Sequence, residues 1–215
     1  IELLPRVVCF CGGEPLLRYN LLPKLANRLS NAGITVNMVT NGLLLNEDKV
    51  NTLIHSGLSG FQISLDSHKK ETHDYFRGLD GAYDGALKAI ELLISKKINP
   101  DVTFIPTKIN YRDLGGLVEL LYSKGIRRIG SMPLIPIGRG YENREELLMS
   151  DDELLDFYQK AISEAVELYI VSAYLTEWNI NTRLNSQIKP SKFRFIFGKD
   201  FGLSRKKAIK NVLDW

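Results

Sequence analysis

Phe61-Gln62-Ile63-Ser64-Leu65-Asp66 alternates strictly: Phe61, Ile63 and Leu65 are apolar, while Gln62, Ser64 and Asp66 are polar. Successive side chains of a strand point to opposite faces, so this segment turns one face toward packed helices and the other toward a polar cavity. In a flat doubly wound sheet both faces are covered and strands read as continuous apolar runs. The alternation therefore predicts a strand of a partial barrel, with helices outside and a polar interior.

Working outward, the same unit recurs along the chain. Strands are expected at residues 6–11, 35–39, 60–66, 101–106 and 126–132, each a short apolar run. Helical stripes lie between them. Leu21, Leu22, Leu25 and Leu29 form one that stops before Gly33, and Val50, Leu53 and Ile54 form another that stops at Gly57. Ala86, Leu87, Ile90, Leu93 and Ile94 make a third, and Leu114, Leu117, Val118 and Leu121 a fourth. Ser150 and Glu153 read as a capping box that opens a further helix. A βαβα series implies parallel strands with right-handed crossovers, so the expected fold class is α/β, a partial TIM-type (β/α) barrel. Residues 1–171 are assigned to that core and 172–215 left as an unassigned basic segment, because the periodicity fades from Ser172.

The 215 residues are 44% hydrophobic and 25% charged, enough to bury a sizeable core. No run approaches the ~20 apolar residues of a membrane span. The net charge of +3 conceals an uneven distribution: residues 189–210 hold eight Lys or Arg against the single acid Asp200. Interleaved with Phe193, Phe195, Phe197 and Phe201, this reads as a solvated charged face rather than a nucleic-acid site. Cys9 and Cys11, the two cysteines of the chain, are two apart in one strand and form no disulfide framework, which makes a reducing cytoplasm the expected compartment. Both are expected to be small core residues. His55 falls at a helix C-terminus, and Glu71 with His73 is expected on an exposed helix face.

The polar motifs fall where strands end, which is where α/β folds collect ligands. Cys11-Gly12-Gly13-Glu14-Pro15 follows the first strand, Thr40-Asn41-Gly42 the second, Ser64 to Ser67 the third and Gly138-Arg139-Gly140 the fifth. Each also has a purely structural reading: Asn-Gly as a turn, Asp66-Ser67 as a cap, Gly-Arg-Gly as a flexible loop. In this order, from Val7 to about Tyr141, they resemble the radical S-adenosylmethionine (SAM) superfamily, and within it the branch with a C-terminal auxiliary-cluster (SPASM-type) domain. The resemblance implies that SAM is a cofactor, cleaved reductively to a 5′-deoxyadenosyl radical that modifies a peptide or a cofactor precursor. It implies that Gly12, Gly13 and Glu14 bind the methionine amino end, with Cys11, Pro15, Thr40 and Asn41 beside them. Ser64 and Asp66 would lie near the ribose and methionine carboxylate, Arg77 would grip that carboxylate, and Leu134 would pack against adenine.

The superfamily also implies a [4Fe–4S] cluster held by a Cys-x3-Cys-x2-Cys loop, and that loop is absent. Two cysteines spaced by one residue do not replace it. Because Ile1 is followed almost at once by a strand-like run, the chain is read as beginning inside a domain, with the cluster ligands upstream of Ile1. The expected partners are a peptide or small-molecule substrate and an electron donor such as flavodoxin or ferredoxin, with no membrane and no nucleic acid. Two other readings stay open: a degenerate, non-catalytic barrel that binds SAM or a peptide, and a phosphate-binding barrel, which leaves the charge of Glu14 unexplained.

Overall fold

The computed structural model describes residues 5–163, 167–172 and 192–197. Five parallel strands, β1 (Val7–Phe10), β2 (Thr35–Thr40), β3 (Leu58–Ser64), β4 (Asp101–Phe104) and β5 (Ile129–Ser131), form one sheet in sequential order. Helices α1 (Leu22–Asn31), α2 (Glu47–His55), α4 (Ala82–Ser95) and α5 (Leu114–Ser123) alternate with them, and α3 (Lys70–Arg77) precedes α4 in the third crossover. Sequential order with every pair parallel is the pattern of a (β/α) barrel segment; a doubly wound sheet reverses its order at a switch point.

Register separates the two faces of the sheet. Phe10, Met38 and Phe61 are paired neighbours, as are Ile63 and Val102, and this face packs under the helices. Val36, Met38, Ile63, Leu65, Val102 and Phe104 are fully buried there, against Val50 and Leu53 of α2, Ile90 and Leu93 of α4 and Leu117 and Leu121 of α5. At about 1.5–3 kcal/mol per fully buried aliphatic or aromatic side chain, this layer is the main source of stability. The opposite face carries Cys9 beside Asn37, and Ser64 beside Thr103. Asn37, Gln62, Ser64 and Thr103 on it are only half-buried.

Local signals set the helix ends. Asn46 caps α2, its Oδ1 accepting from Lys49 N at 2.9 Å, and Glu47 and Asp48 follow in the first turn. Gly57 closes the same helix at φ 93°, and a side chain at that position would collide with Ser30. Gly57 thus serves conformation and packing together.

Strand ends differ from expectation by at most three residues, and β5 differs most. Ile126 N still bonds Leu121 O after the Gly125 turn, which delays the strand to Ile129. The expectation that Cys9 and Cys11 sit in the core is corrected: both are exposed. Cys9 lies on the sheet face away from the helices, and among the described residues β1 pairs with β2 alone. Burial and the adjacent Cys11 still raise the Cys9 thiol above its ordinary pKa. The expected exposed face is found for Glu71, which is exposed, and is corrected for His73, which is buried at 2% exposure on the inner side of α3.

The chain divides into two compact units, Ile1–Leu148 and Met149–Trp215. The first ends with two short helices, α6 (Arg139–Glu142) and α7 (Arg144–Leu147). In the second, α8 (Asp151–Ser163) opens on the expected capping box: Ser150 N donates to Glu153 Oε2 at 2.7 Å and Glu153 N to Ser150 Oγ at 3.3 Å. Strands β6 (Glu167–Ser172) and β7 (Lys192–Phe197) pair in parallel. Apart from Lys192 and Arg194 on β7, the basic residues of 189–210 lie outside the described residues.

Candidate SAM site at the strand ends

At the C-terminal edge of the sheet the chain leaves β1 through Gly12 and Gly13, and Glu14 caps the turn Pro15–Arg18. Gly12 has φ 106°, a conformation in which a side chain is strained. The Glu14 carboxylate is held by three donors. Oε1 accepts from Leu16 N at 3.0 Å and from Thr40 Oγ1 at 2.7 Å, and Oε2 accepts from Asn41 N at 2.9 Å. Thr40 in turn accepts from Gly42 N, and Asn41 Oδ1 from Leu43 N, so the turn after β2 is shaped around this carboxylate. Gly42 is required there: it has φ 82°, and a Cβ on it would lie 2.8 Å from that of Ala89. A carboxylate has about four acceptor positions, so Glu14 keeps one on Oε2 for a ligand donor.

The loop after β3 is organised by Asp66, which is completely buried. Its Oδ1 accepts from Ile105 N at 3.1 Å, and its Oδ2 accepts from Arg77 Nε at 2.7 Å and pairs with Nη2. Its own N–H donates to His73 Nδ1 at 3.1 Å, and its carbonyl accepts from Asn110 Nδ2 at 2.9 Å. One residue thereby ties β3, α3, the end of β4 and the segment leading into α5. It also explains why β3 ends at Ser64 rather than at Asp66. Burial pushes the Asp66 pKa up, and the Arg77 charge and the Ile105 amide pull it back.

His73 accepts at Nδ1, which puts its proton on Nε2 and leaves the ring neutral. Burial, reinforced by the Arg77 charge, lowers its pKa to about 4. The ordinary value near 6.5 holds in the unfolded chain, which therefore binds more protons than the folded one between pH 6.5 and 4. The stabilising contribution is complete above 6.5 and is lost as pH falls through that window. It amounts to about 3 kcal/mol. Urea denaturation at pH 7 and pH 4.5 should show this loss in the wild type and a smaller one in His73→Gln.

A cleft of about 420 Å³ opens between these loops. Of the residues singled out in the sequence, it brings together Cys11, Gly12, Gly13, Glu14, Thr40, Asn41, Ser64 and Arg77. Pro15 begins the turn behind Glu14, and Asp66 lies under the cleft, paired to Arg77. Leu134 does not line the cleft; it is half-buried in the loop after β5. The cleft also receives His73, Leu79, Ala82 and Arg139, which the sequence reading had not placed there. A signal for two of them existed. His73 precedes Arg77 by one helical turn, and Arg139 stands between the two glycines of a strand-end loop.

Residues 2–121 match the family model described as the radical SAM superfamily. The chain belongs to the radical SAM superfamily. Its relatives include the Fe-coproporphyrin III synthase of Methanosarcina barkeri (strain Fusaro / DSM 804), 33% identical over 161 residues, covering 75% of this chain and 39% of that protein. The PqqA peptide cyclase of Gluconobacter oxydans (strain 621H) is 31% identical over 149 residues, covering 68% and 41%. The chain thus spans about two fifths of the length of these curated relatives. Among solved structures, anSMEcpe with bound AdoMet and the Kp18Cys peptide shares the fold at TM-score 0.61 and 21% identity, covering 73% of this chain and 45% of that one. Streptococcus suis SuiB bound to S-adenosylmethionine does so at TM-score 0.59 and 17% identity, covering 89% and 39%. Radical SAM proteins use SAM together with a [4Fe–4S] cluster, and only the first of these finds matching groups in this chain. Its two cysteines are too few for a cluster, and among the described residues no group of three His, Cys, Asp or Glu side chains is placed to hold a metal.

Proposed function

We propose that this chain is the SAM-holding core of a radical SAM enzyme that modifies a peptide or a cofactor precursor. Glu14 carries the reading. Its carboxylate is fixed by three donors, keeps one acceptor position, and lines the same cleft as Ser64 and Arg77. A carboxylate already oriented in this way gains a charge-assisted bond from a ligand ammonium without first reorganising. Gly12 and Gly13 have nothing within 4 Å of where a Cβ would stand, so a ligand can lie against their backbone. Cys11, Thr40 and Asn41 flank the amino end, and Ser64 supplies a hydroxyl for the ribose side.

SAM bound here supplies the radical with which the superfamily abstracts a substrate hydrogen. The residues of this chain bind and orient it. The cluster is assigned to thiolates outside this chain, and the electron to a donor such as flavodoxin or ferredoxin. Named relatives act on a PqqA peptide or make Fe-coproporphyrin III, which supports a peptide or a cofactor precursor as the substrate class. Among the described residues no helix is long and apolar enough to cross a membrane; the cytoplasmic location rests on the cysteine usage alone.

Anaerobic reconstitution with iron and sulfide tests the assignment of the cluster. The 215-residue chain should show no iron–sulfur absorbance and no reductive SAM cleavage, and the gene product with the preceding coding sequence should show both. Stoichiometric cluster binding by the chain itself, lost in Cys9→Ser/Cys11→Ser, would overturn the assignment. A longer product that binds SAM without a cluster would favour the degenerate barrel.

A further inference from the structure

We propose that Cys9 and Cys11 form a modification site of their own, a dithiol that exchanges with a small disulfide such as glutathione disulfide and closes into a Cys9–Cys11 bond at the edge of the cleft. Both side chains are exposed, and they are the only thiols of the chain. Two residues apart along one extended segment, they leave the same face of the sheet, the polar face away from the helices. Cys9 leans toward its neighbour: its Sγ lies 3.9 Å from Phe10 O, the carbonyl just before Cys11. Besides burial, the charge of Cys11 and a hydrogen bond to its side chain hold the Cys9 thiol protonated, which places the two sulfurs within reach of each other. Cys11 has the open side, since it lines the cleft.

Cys11, as its thiolate, attacks one sulfur of glutathione disulfide; the S–S bond breaks and one glutathione leaves with the electron pair. Cys9 then gives up its proton and attacks the Cys11 sulfur of the mixed disulfide, and the second glutathione leaves. The two protein thiols are oxidised, glutathione disulfide is reduced to two molecules of glutathione, and the protons of Cys9 and Cys11 end on them. Residues i and i+2 of a strand stand about 6.4–6.8 Å apart, at the long end of the range of about 4.4–6.8 Å that a disulfide spans. Closing the bond therefore shortens the end of β1, and the next residues along are Gly12, at φ 106°, and Gly13. These lead into Glu14, whose carboxylate is anchored to the turn after β2 by Thr40 and Asn41. The cross-link pulls Glu14 against these anchors, so oxidation weakens its hold on a ligand ammonium. That consequence rests on the SAM reading of the cleft, and the exchange itself does not. A bond closed under such strain is readily reduced again.

The test incubates the reduced 215-residue chain with glutathione disulfide under anaerobic conditions and reads it by intact-mass spectrometry, with circular dichroism as the check on folding. The wild type should lose two hydrogens and both Ellman-reactive thiols without retaining glutathione, and dithiothreitol should restore it. Cys9→Ser removes the second thiol and should stop at one glutathione on Cys11. A wild type that keeps both thiols, or that retains glutathione on either cysteine, overturns the proposal. Equilibrium dialysis with SAM reads the coupling to the cleft. Affinity should fall about tenfold on oxidation, the equivalent of one charge-assisted hydrogen bond, and return with dithiothreitol. Equal affinity in the two states overturns the coupling. If the reduced chain binds no SAM, the SAM reading itself fails, and the mass of the oxidised chain still decides the exchange.

Discussion

Arg77→Met is expected to destabilise the protein by about 3 kcal/mol, the low end of the cost of breaking a buried ion pair, because the guanidinium is 28% exposed while its partner Asp66 is not exposed at all. The substitution keeps most of the side-chain volume and removes the charge, so the loss comes from leaving the Asp66 carboxylate buried without a cation. Asp66 also receives the Ile105 amide and anchors His73 and Asn110, so its discomfort spreads to the ends of β3 and β4 and to α3. Asp66→Asn in the Arg77→Met background should recover part of the stability by removing the orphaned charge, and the two changes should be strongly non-additive in a double-mutant cycle followed by urea unfolding. Additive losses would mean that the pair is solvent-screened and that Asp66 does not organise the loop.

Glu14→Gln should weaken SAM binding about ten- to a hundredfold, since it removes one charge-assisted hydrogen bond of roughly 1.5–3 kcal/mol to the ligand ammonium. The variant also turns an amide toward an existing donor. Of the two Glu14 oxygens, one accepts from Leu16 N and Thr40 Oγ1 and the other from Asn41 N, so a glutamine must face one of these with its own N–H. A modest drop in stability should accompany the loss of affinity. Isothermal titration with SAM, run beside thermal unfolding, separates the two effects. Unchanged affinity would reduce Glu14 to a clamp between β1 and β2.

Much of the fold was legible because it is written in local periodicity. The alternation in Phe61 to Asp66 announced a strand with one polar face, and the glycines after α1 and α2 stopped their helices where expected. What local patterns do not encode is which face of the sheet a strand-edge residue meets. Cys9 reads as a small apolar core residue, yet it lies on the sheet face away from the helices and is exposed. The strand-end motifs placed Glu14, Asn41 and Ser64 in one cleft because the C-terminal edge of a parallel sheet gathers its loops. Partner choice within that cleft was not readable. That Arg77 pairs with Asp66, eleven residues earlier, was not visible in the spacing, and His73 looked exposed until its ring nitrogen met the Asp66 amide. Both depend on how the loop after β3 folds back on α3, which no spacing rule specifies.

The central claim is that the cleft at the ends of β1, β2 and β3 holds SAM by its methionine end. A crystal structure of the protein grown with SAM tests it most directly. The claim predicts the ligand amino nitrogen about 3 Å from Glu14 Oε2, its backbone contacts along Gly12 and Gly13, and the Asp66–Arg77 pair intact beneath it. SAM ordered elsewhere on the protein, with the Glu14 carboxylate still bonded only to Leu16, Thr40 and Asn41, would contradict it.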